Sequence, residues 1–488
     1  MTERLWLDNR AHCPVSSKKA SRANERKRAM SAKEATISAR LDRLPATRTI
    51  WWLVTLLSIG AFFEIYDFFL NTYIVPGLVK SGLLAGVRIG IFSGPATFFA
   101  ATFGGLFIGT IVFGFAADRF GRRFIFAFSL LWYSLATIIM AFQTSTPLLD
   151  FWRFIAGIGI GVELVTIDTY IAELVPKHIR GRAYAFSQTV QFSVVPVVAL
   201  LAYYLVPRQP FGLDGWRVVV LIGGTGAVVV WFLRRGLPES PRWLLQHGRF
   251  AEAERVTAEI EARVKRDLGG VELPPPLATA AEERETSGRF GEIWQAPYRA
   301  RAIMMMVFQF FQTIGYYGFA NWVPTLIAEK GFNLKGSLLY AFLIAIANPL
   351  GPLLAMTFAD RIERKWLIVA SAAAIGLFGI GFAAAPSAWL IIACGLLITL
   401  AGNIFSFAFH AYQSELFPTR MRARAVGFVY SWSRLSAVFA SFLIGWFLKE
   451  GGVPAVFALI GAAMLAVVIS IGGFGPKTSG LQLEEIAH

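Results

Sequence analysis

Twelve apolar stretches of about 20 residues, the length a helix needs to cross hydrocarbon, dominate this 488-residue chain. They run roughly over 50–77, 91–116, 124–142, 148–174, 183–206 and 216–234, then 302–328, 337–359, 365–385, 388–413, 424–448 and 453–474. We number them spans 1 to 12. Inside a bilayer every backbone N–H and C=O needs an internal partner, so such runs fold as helices. With 56% hydrophobic and only 16% charged residues, a soluble domain of this size is excluded, because its surface would need more charge. The expected fold class is an all-α membrane protein, with twelve transmembrane helices in two pseudo-symmetric six-helix bundles.

The formal charge of +15 does not point to nucleic acid, since no soluble basic face is available to hold it. Lys and Arg crowd every second connection instead. Arg119, Arg122 and Arg123 follow span 2, and Lys177, Arg180 and Arg182 follow span 4. Arg234, Arg235 and Arg242 follow span 6, Arg361, Arg364 and Lys365 follow span 8, and Arg420, Arg422 and Arg424 follow span 10. Basic loops stay in the cytoplasm, so these loops and both termini are expected there. The location expected is a bacterial inner (plasma) membrane.

Residues 1–49 are basic (Arg22, Arg26, Lys27, Arg28, Lys33) and lack an apolar core with a cleavage site. They read as a disordered cytoplasmic tail rather than a signal peptide. The expected divisions are then an amino-terminal bundle over 50–234, a cytoplasmic linker with amphipathic helices over 235–300, a carboxy-terminal bundle over 301–475, and a tail over 476–488. Cys13 and Cys394 have neither disulfide nor metal-ligand spacing, so no metal or cofactor is expected. No nucleotide-binding loop or nucleophile triad is present, which argues against an enzyme or an ATP-driven pump.

Two motifs recur six spans apart. Asp118-Arg119-Phe-Gly-Arg122-Arg123 follows span 2 and Asp360-Arg361-Ile-Glu-Arg364-Lys365 follows span 8. Tyr170-x-x-Glu173-x-x-Pro176-x-x-x-Arg180 ends span 4, and Tyr412-x-x-Glu415-x-x-Pro418-x-x-x-Arg422 ends span 10. Such duplication implies paired halves, an arrangement in which substrate sits at the interface near mid-membrane.

At these residues the chain resembles the major facilitator superfamily. Gly114-x-x-x-Asp118-Arg119-x-Gly121-Arg122-Arg123 is similar to its loop 2–3 motif. Pro238-Glu239-Ser240-Pro241-Arg242-Trp243-Leu244 resembles the sugar-porter and metabolite-symporter branch. Met356 and Glu363 stand in the second motif where the first has glycines, which implies a looser closed state in that half. The motif charges read as gating latches: Asp118 near a helix N-terminus and paired with an arginine, with Arg119 and Arg122 in the same motif, Glu173 with Arg180, and Glu415 with Arg422.

Ionisable residues within spans are the candidate functional groups. Asp67 lies in span 1, where a carboxylate needs a partner or a proton; burial raises its pKa and a nearby cation lowers it. In proton-coupled sugar porters the acid of a Tyr-Asp element pairs with a span-4 arginine. Tyr66-Asp67 and Arg153-x-x-x-Gly157-x-Gly159-x-Gly161 match that pattern, so the resemblance implies Asp67 as proton carrier and Arg153 as its tuner. Glu64, Glu163 and Asp168 are further candidates for sharing the proton. Arg434 of span 11 calls for a carboxylate, and spans 7 to 11 offer none, so the substrate itself is the expected partner.

A polar lining is expected from Gln309, Gln312, Tyr316 and Tyr317 of span 7, Asn403 and His410 of span 10, Gln188 and Gln191 of span 5, and Tyr430 of span 11. Amides and aromatic rings among apolar helices suit a small, partly planar solute. Gly315-Tyr316-Tyr317-Gly318-Phe319-x-x-Trp322-x-Pro324 is similar to an element of bacterial niacin-type transporters, which resemble synaptic-vesicle glycoproteins. The function this implies is proton-coupled uptake, by alternating access, of a small organic acid, most simply an aromatic monocarboxylate such as nicotinate. A sugar or polyol:proton symporter is the alternative; a drug-type antiporter or a non-transporting receptor comes third. Expected partners are the carboxylate, the proton and membrane lipids, with the protein acting as a monomer.

Overall fold

A computed structural model describes residues 36–84, 88–89, 92–113, 119–233, 236–276, 290–296, 298–358, 362–417 and 419–478. Helices occupy all twelve expected positions. Span 1 is Arg48–Lys80, span 2 Gly94–Phe113, span 3 Arg122–Ala141, span 4 Thr146–Leu174 and span 6 Gly215–Leu233. Span 9 is Arg364–Ala384 and span 10 is Ala388–Glu415. Eight helical runs among the described residues are long and apolar enough to cross a membrane, the last of them holding both spans 11 and 12.

Several spans are jointed. Span 5 breaks at Ser193 into Lys177–Phe192 and Val194–Leu205, and span 7 breaks after Ala320, resuming at Val323–Glu329. Span 8 is Leu334–Ala345 followed by Ala347–Phe358. Spans 11 and 12 run together from Thr419 to Phe474, turning at Gly452, whose φ of 65° suits a residue without Cβ. The only strands among the described residues are the two-residue pair Arg88–Ile89 and Phe92–Ser93 ahead of span 2.

Spans 2 and 4 touch backbone to backbone. A Cβ on Gly105 would lie 2.2 Å from the Phe154 carbonyl, and one on Gly161 would lie 2.5 Å from that of Leu106. Small residues one turn apart allow such close approach in membranes, where van der Waals contact drives helix pairing. The glycines after Arg153 therefore bring that arginine against span 2.

The linker packs on the amino-terminal half as two helices, Pro241–Gln246 and Phe250–Asp267. Here the structure corrects the expected tail over 1–49. Residues 36–42 are helical, with Ile37, Leu41 and Leu44 buried in one cluster with Ala253, Val256 and Ile260. Arg40 pairs with Glu254 at 2.5 Å and Glu261 at 2.6 Å, and Arg43 pairs with Glu261 at 2.6 Å. The segment orders because those carboxylates meet its arginines while its apolar face finds the linker helix. Residues 1–35, 277–289 and 479–488 lie outside the described residues.

Candidate functional site

Asp67 and Arg153 form a buried pair in the amino-terminal half, 3% and 0% exposed. Arg153 Nη1 donates to Asp67 Oδ2 at 2.8 Å, Nη2 to the Asp67 backbone carbonyl at 2.8 Å, and Nε to Thr102 Oγ1 at 3.1 Å. Thr137 donates to the other carboxylate oxygen at 2.9 Å. Asn71 Nδ2 donates to Thr102, so spans 1, 2, 3 and 4 close one polar network. Tyr66 points away to span 6, donating to the Val219 carbonyl at 2.9 Å. Thr102 and Thr137 complete this network and were not among the expected site residues; a lone threonine in an apolar helix carries no signal of its partner.

In the carboxy-terminal half Arg434 is 3% exposed. Its Nη2 donates to Tyr430 Oη at 3.2 Å, its guanidinium lies 5.0 Å from that ring's centroid, and Tyr317 lies beside it. Its Nε finds no acceptor among the described residues. A carboxylate does act on this cation, but from span 1: Glu64, 2% exposed. The absence of an acid in spans 7 to 11 is therefore answered from the opposite half. His410 packs 5.8 Å from the Tyr430 ring, its Nδ1 donating to the Ser406 carbonyl at 2.7 Å. Its side chain is exposed, while Arg434 beside the same ring is buried.

Not every expected lining residue faces open space. Gln309 and Gln312 are buried in a chain of amides. Gln309 Nε2 donates to Gln413 Oε1 at 2.9 Å, and Gln312 Nε2 to Gln309 Oε1 at 3.0 Å. That chain joins spans 7 and 10, the gluing role of polar side chains between membrane helices. Gln191 donates to Ser187 of its own helix at 3.0 Å, and Gln188 is half-buried. Tyr316 and Asn403 do line a central cavity, with Phe69, Tyr73 and Asn348. Its volume of about 30 Å³ holds a water or two and no organic solute. Across the seam Phe103 and Phe68 pack on Tyr317 at 5.0 and 5.7 Å, and Phe99 on Trp322 at 5.0 Å. These aromatic contacts join the two halves beside that cavity.

The motif charges pair differently from expectation. Glu173 meets Arg122, not Arg180, at 3.0 Å; Arg180 instead donates to the Val175 carbonyl at 3.2 Å and lies 3.8 Å from Asp42. Glu415 meets Arg364, the counterpart of Arg122 in the second repeat. The reason is register. The carboxylate ending span 4 or 10 faces the start of span 3 or 9, while an arginine seven residues on has turned into the next helix. Arg119 is exposed beside the Phe120 ring. Asp118 lies outside the described residues, and the side chains of Arg422, Glu163 and Asp168 are not described.

Glu239 is a further residue that sequence reasoning left without a role. Its Oε1 accepts the backbone N–H of Arg122, Arg123 and Ser240 at 3.1, 3.2 and 2.9 Å, at the positive end of the span 3 helix. Burial pushes its carboxyl up, with the amides and Arg122 pulling against it. Gly121, with φ of 99°, leaves the room: a Cβ there would meet Glu239 Oε2 at 2.5 Å. In the second half Glu363 occupies the Gly121 position and itself accepts the Thr478 N–H at 3.0 Å. The carboxylate contact is thus remade in that half with donor and acceptor segments exchanged.

Comparison with known proteins is informative over nearly the whole chain. A family model described as sugar (and other) transporter matches residues 53–488. The putative metabolite transport protein YyaJ of Bacillus subtilis (strain 168) is 31% identical, over 91% of this chain and 96% of its own. The niacin transporter NiaP of Acinetobacter baylyi is 27% identical, over 92% and 99%. Among solved structures, a partially occluded inward-open form of the xylose transporter XylE from E. coli superposes with a TM-score of 0.70 at 21% identity. It covers 89% of this chain and 99% of that one.

Proposed function

This chain belongs to the sugar (and other) transporter family within the major facilitator fold, and from that premise we propose that it is a proton-coupled importer of a small organic acid. It is a membrane transporter of a small solute and not an enzyme. The finer reading is that Asp67 carries the proton, Arg153 tunes it, and Arg434 receives the carboxylate of an aromatic acid such as nicotinate. The observation that carries this is Arg434: a buried guanidinium with an unfilled Nε donor, flanked by two tyrosines. A guanidinium fork matches a carboxylate in two parallel bonds, and a flanking phenol ring offers a surface to an aromatic acid. The niacin transporter among the relatives supports the same chemistry.

In this mechanism the two halves rock about the seam lined by Tyr316, Tyr317 and Asn403. Protonation of Asp67 loosens its pairing with Arg153, and the substrate anion neutralises Arg434. The loaded protein then closes at lower cost than the half-loaded one, which couples the two gradients. Arg122–Glu173 and Arg364–Glu415 serve as latches on the basic face. By the positive-inside rule that face, with the linker and both termini, lies in the cytoplasm of a bacterial inner membrane.

A sugar:proton symporter is the second reading, favoured by the family's own description and by the amides Gln309, Gln312 and Asn403. Thermal stabilisation by nicotinate, nicotinamide, benzoate, quinate, xylose and glucose separates the two. Stabilisation by nicotinate and not nicotinamide, lost in Arg434→Lys, is the expected outcome. Stabilisation by xylose alone overturns the carboxylate reading.

A further inference from the structure

Span 1 carries two buried carboxyls in different surroundings. Asp67 faces spans 3 and 4, where Thr137 and Arg153 hold it. Glu64 lies four residues before Phe68, a spacing that puts both side chains on one helix face. Phe68 packs on Tyr317 of span 7 at 5.7 Å, and Tyr317 lies beside Arg434. Glu64 is 2% exposed, and its charge acts on the carboxy-terminal half's buried cation. The other titratable groups around that cation are Tyr316 and Tyr317 of span 7, His410 of span 10 and Tyr430 of span 11. None of these is an anion near neutral pH.

We propose that Glu64 competes with the substrate carboxylate for Arg434, so that the carrier accepts an anion only after Glu64 has taken a proton. This deepens, and rests on, the carboxylate reading above. Two anions beside one cation in a site screened from water leave one charge uncompensated, a costly state. Incoming substrate therefore finds Arg434 available when a proton from the solvent has bonded to a Glu64 carboxylate oxygen. When substrate leaves, that proton departs to solvent and the Glu64 charge acts on Arg434 again, drawing span 1 toward span 11. Coupling then arises at the substrate site itself, separately from Asp67. With both acids protonated, one monocarboxylate crosses with two protons and a net positive charge.

The apparent affinity of such a site scales with the fraction of carriers holding Glu64 protonated, so above its pKa binding weakens about tenfold per pH unit. Glu64→Gln removes the competitor permanently. In purified protein, nicotinate affinity at pH 8 is expected to rise at least about tenfold, and the slope of log Kd against pH to fall by about one. In proteoliposomes the reversal potential should shift from two protons per nicotinate to one. A gain of affinity is not something a misfolded variant produces, and Glu64→Asp should retain a pH slope. Wild-type protein that binds nicotinate through Arg434, with Glu64→Gln showing unchanged affinity and slope, overturns this proposal and leaves the carboxylate reading intact. Wild-type protein that binds no carboxylate at any pH overturns both.

Discussion

The Asp67–Arg153 pair makes an asymmetric prediction, because only one partner can escape its charge. Asp67→Asn leaves a guanidinium that is 0% exposed and does not deprotonate in proteins. Removing one partner of a buried pair costs about 3–5 kcal/mol; the amide oxygen still accepts one bond, which favours the lower end. Arg153→Met leaves a carboxylate that answers by binding a proton. Its cost is about 1 kcal/mol for each lost bond to Thr102 and the Asp67 carbonyl. The double variant holds no orphan charge and should be more stable than Asp67→Asn alone. The assay is equilibrium unfolding in detergent, analysed as a double-mutant cycle at neutral pH. Effects that add within about 0.5 kcal/mol would refute the reasoning, since independent sites behave that way. In proteoliposomes Asp67→Asn should abolish accumulation driven by a pH gradient while substrate exchange persists.

Other consequences are equally direct. Glu173→Gln takes the negative charge out of the bond to Arg122 and weakens it by about 1 kcal/mol; faster labelling of a cysteine placed at the basic-face mouth should report it, and an unchanged rate would count against a latch. Gly105→Val puts side-chain atoms onto the Phe154 carbonyl 2.2 Å from the Cβ position, so a loss of at least about 2 kcal/mol is expected, read as a lower Tm. Burial raises the Glu261 carboxyl, but bonds and charges from Arg40 and Arg43 outweigh it and hold the group below its usual 4.5. A depressed folded pKa means that this clamp's stabilisation is full above pH 4.5 and fades as pH falls through the lowered value. Hydrogen exchange in residues 36–42 should therefore stay slow at neutral pH and rise only in strong acid; release between pH 6 and 8 would contradict it.

Much of the site was legible because its physics is local. A charge in an apolar run announces itself, so Asp67, Arg153 and Arg434 stood out by residue type and depth alone. The repeat was legible for the same reason: Arg122 and Glu173 recur as Arg364 and Glu415 at matching places in each half. Partners were harder. Glu173 reads naturally with Arg180, seven residues away, yet it bonds to Arg122 of another helix. Gln309 and Gln312 have helical spacing suited to a cavity, yet they bond to each other and to Gln413.

The sequence by itself determined the twelve helices, their grouping into two halves and the basic face, because the exclusion of unpaired backbone and of cations from hydrocarbon acts residue by residue. Tertiary structure alone decided which charges meet. Glu64 is separated from Arg434 by most of the chain, and only the packing of span 1 against span 7 brings its carboxylate to bear on that cation. The helix over 36–42 likewise has no stability of its own; its order comes from Glu254 and Glu261, which the fold carries to it. Coulomb and packing energies depend on distances in space, and spacing along the chain sets those distances only within a single helix.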